Sequence, residues 1–261
     1  LSIFKALKIS PIPFILAQTL SCNIGGAATL IGDPPNIIIG SAANIDFNSF
    51  FINMTPPILV TFILGIVLLK IIFRKELKRE ISLAEKLSTI HEESLIKDKS
   101  LLQSCLIVLA GVFFLFVIHG AIGIEASIIA LAGASILLII TRAHVEKVLQ
   151  EVDWATLIFF AGLFVVVGIL EEVGLIAVLA KILIGITGGE PWLTFHAIIW
   201  MSAIASAFIE NIPFTATMVF IIEILNTSTS ITSLFGSLNT SPLWWALALG
   251  ADLGGNGTLI G

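Results

Sequence analysis

The chain has 261 residues, 57% of them hydrophobic and 12% charged, with a net charge of −5 and a mean hydropathy of +1.08. Soluble domains carry about 25% charged residues, and a globular core cannot absorb this much apolar side chain, whereas a bilayer can. Apolar stretches of about 20 residues recur, each long enough to cross ~30 Å of hydrocarbon as a helix, and period-two alternation is absent. Together these exclude a soluble domain and a β-barrel and predict an all-α polytopic membrane protein.

Residues 1–10 are short and mildly basic, with Lys5 and Lys8. The stretch 13–44 is apolar but carries Gly25, Gly26, Gly32, Pro34 and Pro35 in its middle. A continuous helix does not tolerate that density of breakers, so two half-helices joined by a loop at membrane depth are expected. Residues 50–73 form a full span, which Pro56-Pro57 kinks unless the pair sits in its first turns. Residues 70–99 hold eight of the thirteen Lys and Arg, interleaved with acids. They read as a solvated loop with some helix, on the cytoplasmic side by the positive-inside rule. Residues 101–118 and 124–141 make a pair of spans turning at His119-Gly120, and 142–153 returns to water. The span 154–170 opens with an interfacial Trp154 and ends at Glu171-Glu172.

Residues 174–186 are too short, and too marked by Lys181, to cross; an interfacial amphipathic helix is expected. Residues 191–225 are apolar but broken at Glu210-Asn211-Ile212-Pro213, which predicts a re-entrant hairpin with its tip inside the membrane. Residues 226–241 form an uncharged Ser/Thr/Asn-rich loop. A half-helix over 244–251 is then ended by Asp252-Leu253-Gly254-Gly255-Asn256-Gly257. With 74–100 inside, twelve of the thirteen basic residues fall on the cytoplasmic side, Lys181 being the exception, and the loop 226–241 falls outside. Cys22 and Cys105 lie in apolar segments and make no disulfide framework. His119, His144 and His196 have no metal-ligand spacing.

The breaks contain a repeat. Asn23-Ile24-Gly25-Gly26-Ala27-Ala28-Thr29-Leu30-Ile31-Gly32 and Asp252-Leu253-Gly254-Gly255-Asn256-Gly257-Thr258-Leu259-Ile260-Gly261 agree at six of ten positions, 229 residues apart. On the topology above the first copy runs from inside to outside and the second from outside to inside. Opposed copies of this kind mark an inverted-repeat transporter with broken helices. The expected organisation is the end of a first repeat over 1–73, a cytoplasmic linker over 74–100, and a second repeat over 101–261.

Irregular backbone inside a membrane is tolerated where it lines a cavity or a buried site. Gly25 and Gly26 let the chain turn and let a ligand approach the backbone. Pro34-Pro35 suit the first turn of a resuming helix, whose N-terminal amides point into the break. Thr29, Asn36 and freed carbonyls there can replace the hydration shell of a small ion. Asp33, Glu210 and Asp252 are the acids nearest the breaks. Ionisable groups at such depth are functional candidates, with helix capping as the alternative role. Cys22 adjoins the first break and is weighed as a packing residue against a soft-ion thiol ligand.

The segments NIGGAATLIGDPPNIIIG (23–40), VDWATLIFFAGLFVVVG (152–168), SAFIENIPFTATM (206–218) and ALALGADLGGNGTLIG (246–261) resemble the P-protein branch of the arsenite-permease and sodium/proton-antiporter family. That family belongs to the ion-transporter superfamily with citrate and dicarboxylate carriers. The resemblance covers nearly the whole chain. It implies two re-entrant hairpins and two broken helices meeting near the membrane centre, an elevator-like movement, and often a homodimer. Hairpin tips in the family commonly begin with Asp; here Glu210 stands at that position. The resemblance also implies a first hairpin upstream of Leu1 and further helices beyond Gly261, so both ends read as cut.

The expected function is therefore secondary transport of an inorganic ion or small anion, coupled to H⁺ or Na⁺. Asn23, Gly25, Gly26, Thr29, Asp33, Asn36, Glu210, Asn211, Thr215, Asp252, Asn256 and Thr258 are expected to line the site. A passive anion channel or a dicarboxylate/citrate carrier on the same scaffold are the alternatives. No enzymatic motif, organic cofactor, metal-ligand set or nucleic-acid partner is expected; a coupling Na⁺ would sit at the same loops. The expected location is the inner membrane of a bacterial or archaeal cell.

Overall fold

A computed structural model describes residues 11–74, 99–236 and 241–258, and these contain helices and no strand. The expected loop 74–100 lies almost wholly outside the described residues, as do residues 237–240 and the last three residues of the second motif. The helices are α1 (Ile12–Gly26), α2 (Pro34–Ala43), α3 (Phe47–Ile72), α4 (Lys99–Ile122), α5 (Ala126–Thr141) and α6 (Val145–Gln150), followed by α7 (Trp154–Glu172), α8 (Leu175–Thr187), α9 (Pro191–Phe208), α10 (Asn211–Leu225), α11 (Thr229–Phe235) and α12 (Pro242–Gly254).

Four of them, α3, α4, α7 and α9, are long and apolar enough to cross a membrane; the pair α10–α11, bent by 95°, makes a fifth if counted as one span. Along α3, α4, α5 and α7 most apolar residues face outward rather than into a core. Ile107, Leu131, Ile139 and Ile158 are about 70% exposed (72%, 70%, 75% and 69%), a distribution that only a lipid solvent makes favourable. The molecule is an all-α polytopic membrane protein.

The described residues form two compact units, one within Leu1–Thr19 and Ile63–Val152 and one within Leu20–Phe62 and Asp153–Gly261. In the first, α4 and α5 pack as an antiparallel pair, brought close where Gly133 leaves room for the Val112 side chain. The helix α4 runs one turn past His119-Gly120, the expected turn. It ends instead at Gly123, whose φ of +66° suits a glycine at a helix C-terminus. The amides of Gly123 and Ile124 both reach back to the His119 carbonyl, at 2.9 and 3.3 Å, so α4 ends by wrapping around it.

In the second unit α9 and α12 pack together most extensively, and α2, α10 and α12 pack against one another. Ile39, Phe50, Met54, Ile198, Ile222 and Trp244 are fully buried there, and Phe50 meets Trp245 edge-on at 5.5 Å. Asp46 opens α3 by accepting from the Ser49 amide at 3.3 Å. Pro56 and Pro57 lie in the helix interior rather than its first turns. The expected loop over 226–241 contains the short helix α11. The expected short helix over 174–186 is present as α8, and the expected break near Glu210 separates α9 from α10 at Ile209-Glu210.

Candidate functional site

The first break runs from the end of α1 at Gly26 to the start of α2 at Pro34. Both prolines occupy the first two helical positions, behind an extended Asp33 with φ −141°, as their lack of an amide hydrogen favours. The loop folds tightly on itself. A Cβ on Gly26 would stand 2.9 Å from the Gly32 carbonyl oxygen, and a Cβ on Gly32 would collide with the Gly26 carbonyl. Glycine at both positions is thus a packing requirement.

Side chains then take up the loop carbonyls. The Asn36 amide Nδ2 donates to Gly26 O at 3.4 Å and Thr29 O at 3.2 Å. The Thr55 hydroxyl on α3 donates to Ala28 O at 3.3 Å. These carbonyls are already satisfied within the protein. The Asn36 Oδ1 is buried without a partner.

The second break follows the same plan. The helix α12 continues through Asp252 and ends at Gly254, so Asp252 lies in its last turn, as Asn23 does in α1. Amides of Asn256 and Gly257 then turn back to Leu253 O and Gly254 O at 3.2 and 2.8 Å. The Thr258 hydroxyl donates to Ala207 O. Close packing of α12 on α9 holds this end in place. A Cβ on Gly250 would stand 2.6 Å from both Ile199 O and Ser202 Cβ, and the Ser206 hydroxyl donates to Ala251 O at 2.6 Å.

Asp252 is 1% exposed, and neither carboxyl oxygen has a hydrogen-bond partner. It neighbours the Asn36 side chain and lies within electrostatic reach of Asp33. Thr215 on α10 is fully buried with an unpartnered hydroxyl, and Asn256 Oδ1 is buried and unpartnered. Buried polar atoms are normally paired. Here Asn36, Thr215 and Asp252, carried on three mutually packed helices, all keep unspent oxygens, and Asn256 just beyond α12 keeps another.

The remaining expected residues are placed differently. Asp33 is half-buried and Glu210 exposed; each stands at an N-cap position, yet neither carboxylate makes a cap hydrogen bond. Asn23, Gly26, Thr29, Asn211 and Thr258 are half-buried, and Gly25 is exposed. Sequence reasoning missed Ser202, fully buried with an unpartnered hydroxyl, together with Ser206 and Thr55. The signal for the serines was present: Ser202-x-x-x-Ser206 facing Gly250-x-x-x-Gly254 is the small-residue spacing of close membrane helix pairs.

Comparison with known proteins agrees with this architecture. The "46 kDa membrane protein" of Mycobacterium leprae is 39% identical over 261 residues, covering all of this chain and 60% of that protein. An uncharacterized transporter of Mycobacterium tuberculosis is 41% identical over 254 residues, covering 97% of this chain and 58% of its own length. The human P protein is 33% identical over 334 residues, covering 98% of this chain and 39% of that protein. The chain thus spans about 60% of the length of the mycobacterial relatives. The citrate transporter family profile matches residues 1–250, and the chain belongs to that family of membrane transporters.

Proposed function

We propose that the full-length protein is a secondary active transporter of an inorganic ion or small anion, coupled to H⁺ or Na⁺. The observation that carries this reading is the set of unpartnered buried oxygens on Asn36, Asp252 and Asn256, at two breaks that share one sequence motif, and on Thr215 of α10, which packs against the helices at both. A packed membrane helix bundle gains nothing from such atoms unless a ligand completes them. In this reading 1–73 ends a first repeat, 74–100 is a cytoplasmic linker, and 101–261 belongs to an inverted second repeat. The arsenite-permease and sodium/proton-antiporter likeness, the inner-membrane location and a homodimer belong to the same proposal. Relatives named P protein and uncharacterized transporter support its coarser part.

The test is uptake into proteoliposomes holding the full-length protein, with arsenite, radiolabelled sodium and radiolabelled citrate as probes, under imposed proton or sodium gradients. Accumulation that follows one of these gradients is expected, and Asn36→Ala or Asn211→Ala should abolish most of it. Accumulation indifferent to both gradients removes the coupling, and unchanged transport in both variants removes the site.

A citrate or dicarboxylate carrier is the second reading, favoured by the family match over 1–250. The charge pattern weighs against a free polycarboxylate: Lys181 is the only Lys or Arg in 20–62 and 153–261, and it is exposed on α8. Such an anion would rest on helix N-termini and bound cations. Uptake of citrate but of neither inorganic probe decides for this reading.

A further inference from the structure

We propose that Asp252 is the proton-binding group of this carrier, and that it is protonated in the conformation described. The inference rests on the transporter reading and assigns the coupling proton to one side chain.

Four observations carry it. Asp252 is 1% exposed, so water does not solvate its charge. Neither of its oxygens receives a hydrogen bond. The neighbouring Asn36 Nδ2 already donates to Gly26 O and Thr29 O at 3.4 and 3.2 Å, so the one amide beside the carboxyl is shared with the first break rather than dedicated to it. Lys181, the single Lys or Arg of the unit, is exposed on α8. A carboxylate in such surroundings has no counter-charge and no donor of its own, a costly state for a buried group.

One proton removes the buried charge and supplies one donor to the cluster. A carboxylic acid is a donor as well as an acceptor, and the buried oxygens short of a donor, Asn36 Oδ1 and Asn256 Oδ1, belong to the same pair of breaks. The titratable groups on the helices packed against α12 do not supply an alternative partner. Asp33, ahead of α2, is the acid in electrostatic reach of Asp252. On α9, His196 is exposed, with its ring turned to Trp192 O at 2.8 Å. Glu210, ahead of α10, is exposed. Glu223 on α10 feels Glu171. Asp46, ahead of α3, accepts from Ser49. In the transport cycle the proton enters from one aqueous face, binds a carboxyl oxygen of Asp252 while the site is closed, and leaves to the other face when the breaks open. No bond other than O–H forms or breaks.

The experiment is infrared spectroscopy of the full-length protein in lipid nanodiscs, with aspartate carrying carbon-13, read in the carboxylic-acid carbonyl region. At neutral pH an aspartic-acid band is expected that shifts with the isotope and in D₂O and is lost in Asp252→Asn. If Asp252→Asn does not fold, Asp252→Glu should move this band out of the carbon-13 aspartate set. In proteoliposomes, Asp252→Asn should lose accumulation driven by a proton gradient. Absence of the band from the wild type, its persistence in Asp252→Asn, or its loss when sodium chloride replaces choline chloride each overturns the proposal; the last identifies a sodium site instead. Intact uptake with no band removes the proton on Asp252 alone, whereas a wild type that takes up none of the probes removes the transporter reading itself.

Discussion

Asp153 sets where a spanning helix begins. Its carboxylate accepts from the Thr156 amide at 3.2 Å and the Thr156 hydroxyl at 2.6 Å, closing the first turn of α7 just ahead of Trp154. The Thr156 hydroxyl first, then the Thr156 and Ala155 amides, hold its carboxyl below the usual aspartate range. The sign follows from linkage: a carboxylate whose folded value is depressed stabilises the helix start above its ordinary value of about 3.9. That contribution is lost as pH falls through the lower folded value. Hydrogen exchange of the Thr156 amide, corrected for its intrinsic rate, should lose protection on acidification into that window, and Asp153→Ala should remove this pH dependence. Asp33 and Glu210 stand at the same helix position without the bond. Residue type nominated Asp33, Glu210 and Asp252 as caps or ligands; the side-chain geometry shows no cap bond at Asp33 or Glu210 and places one at Asp153, which residue type had not singled out.

The pairing of α9 and α12 fixes the second break. Lipid offers no hydrophobic drive to push two apolar helices together, so small residues that let backbones approach must supply the contact. Gly250→Val should destabilise the protein by about 1–3 kcal/mol through overpacking against Ile199 and Ser202, seen as a lower unfolding temperature of the purified protein. Gly168 on α7 has open space around its Cβ position. Gly168→Ala should therefore stay within about 1 kcal/mol of wild type or gain stability through helix propensity. Helix existence was legible from apolar length and breaker spacing, since those depend on local chemistry. Helix ends were less so. Gly120 and Gly123 are equally good breakers by type, and only the turn around the His119 carbonyl selects the second. In α12, Asp252 looked like the residue that ends the helix, yet it lies within the last turn because α9 holds the backbone helical as far as Gly254.

At the scale of the whole molecule, the basic residues and the uncharged loop make a topological prediction. In a full-length background lacking Cys22 and Cys105, Glu146→Cys should react with a membrane-impermeant maleimide from the cytoplasmic face. Ser233→Cys on α11 should react from the opposite face. Labelling of both from one side would remove the inverted orientation of the two motif copies. Both positions are exposed, so access depends on sidedness. Solvent, helical class and the two breaks are legible along the chain, because hydropathy, span length and glycine-proline spacing act within a few residues. Residue type also named Asn36, Thr215, Asp252 and Asn256 as candidates. That the Asn36 amide donates to the first break, that Thr55 covers Ala28 O and that Asp252 is buried with no partner within hydrogen-bond geometry follow from the packing of distant helices. Pairing of a polar atom depends on residues far away in sequence: Asn36 and Asp252 are 216 positions apart and meet through the packing of α2 on α12.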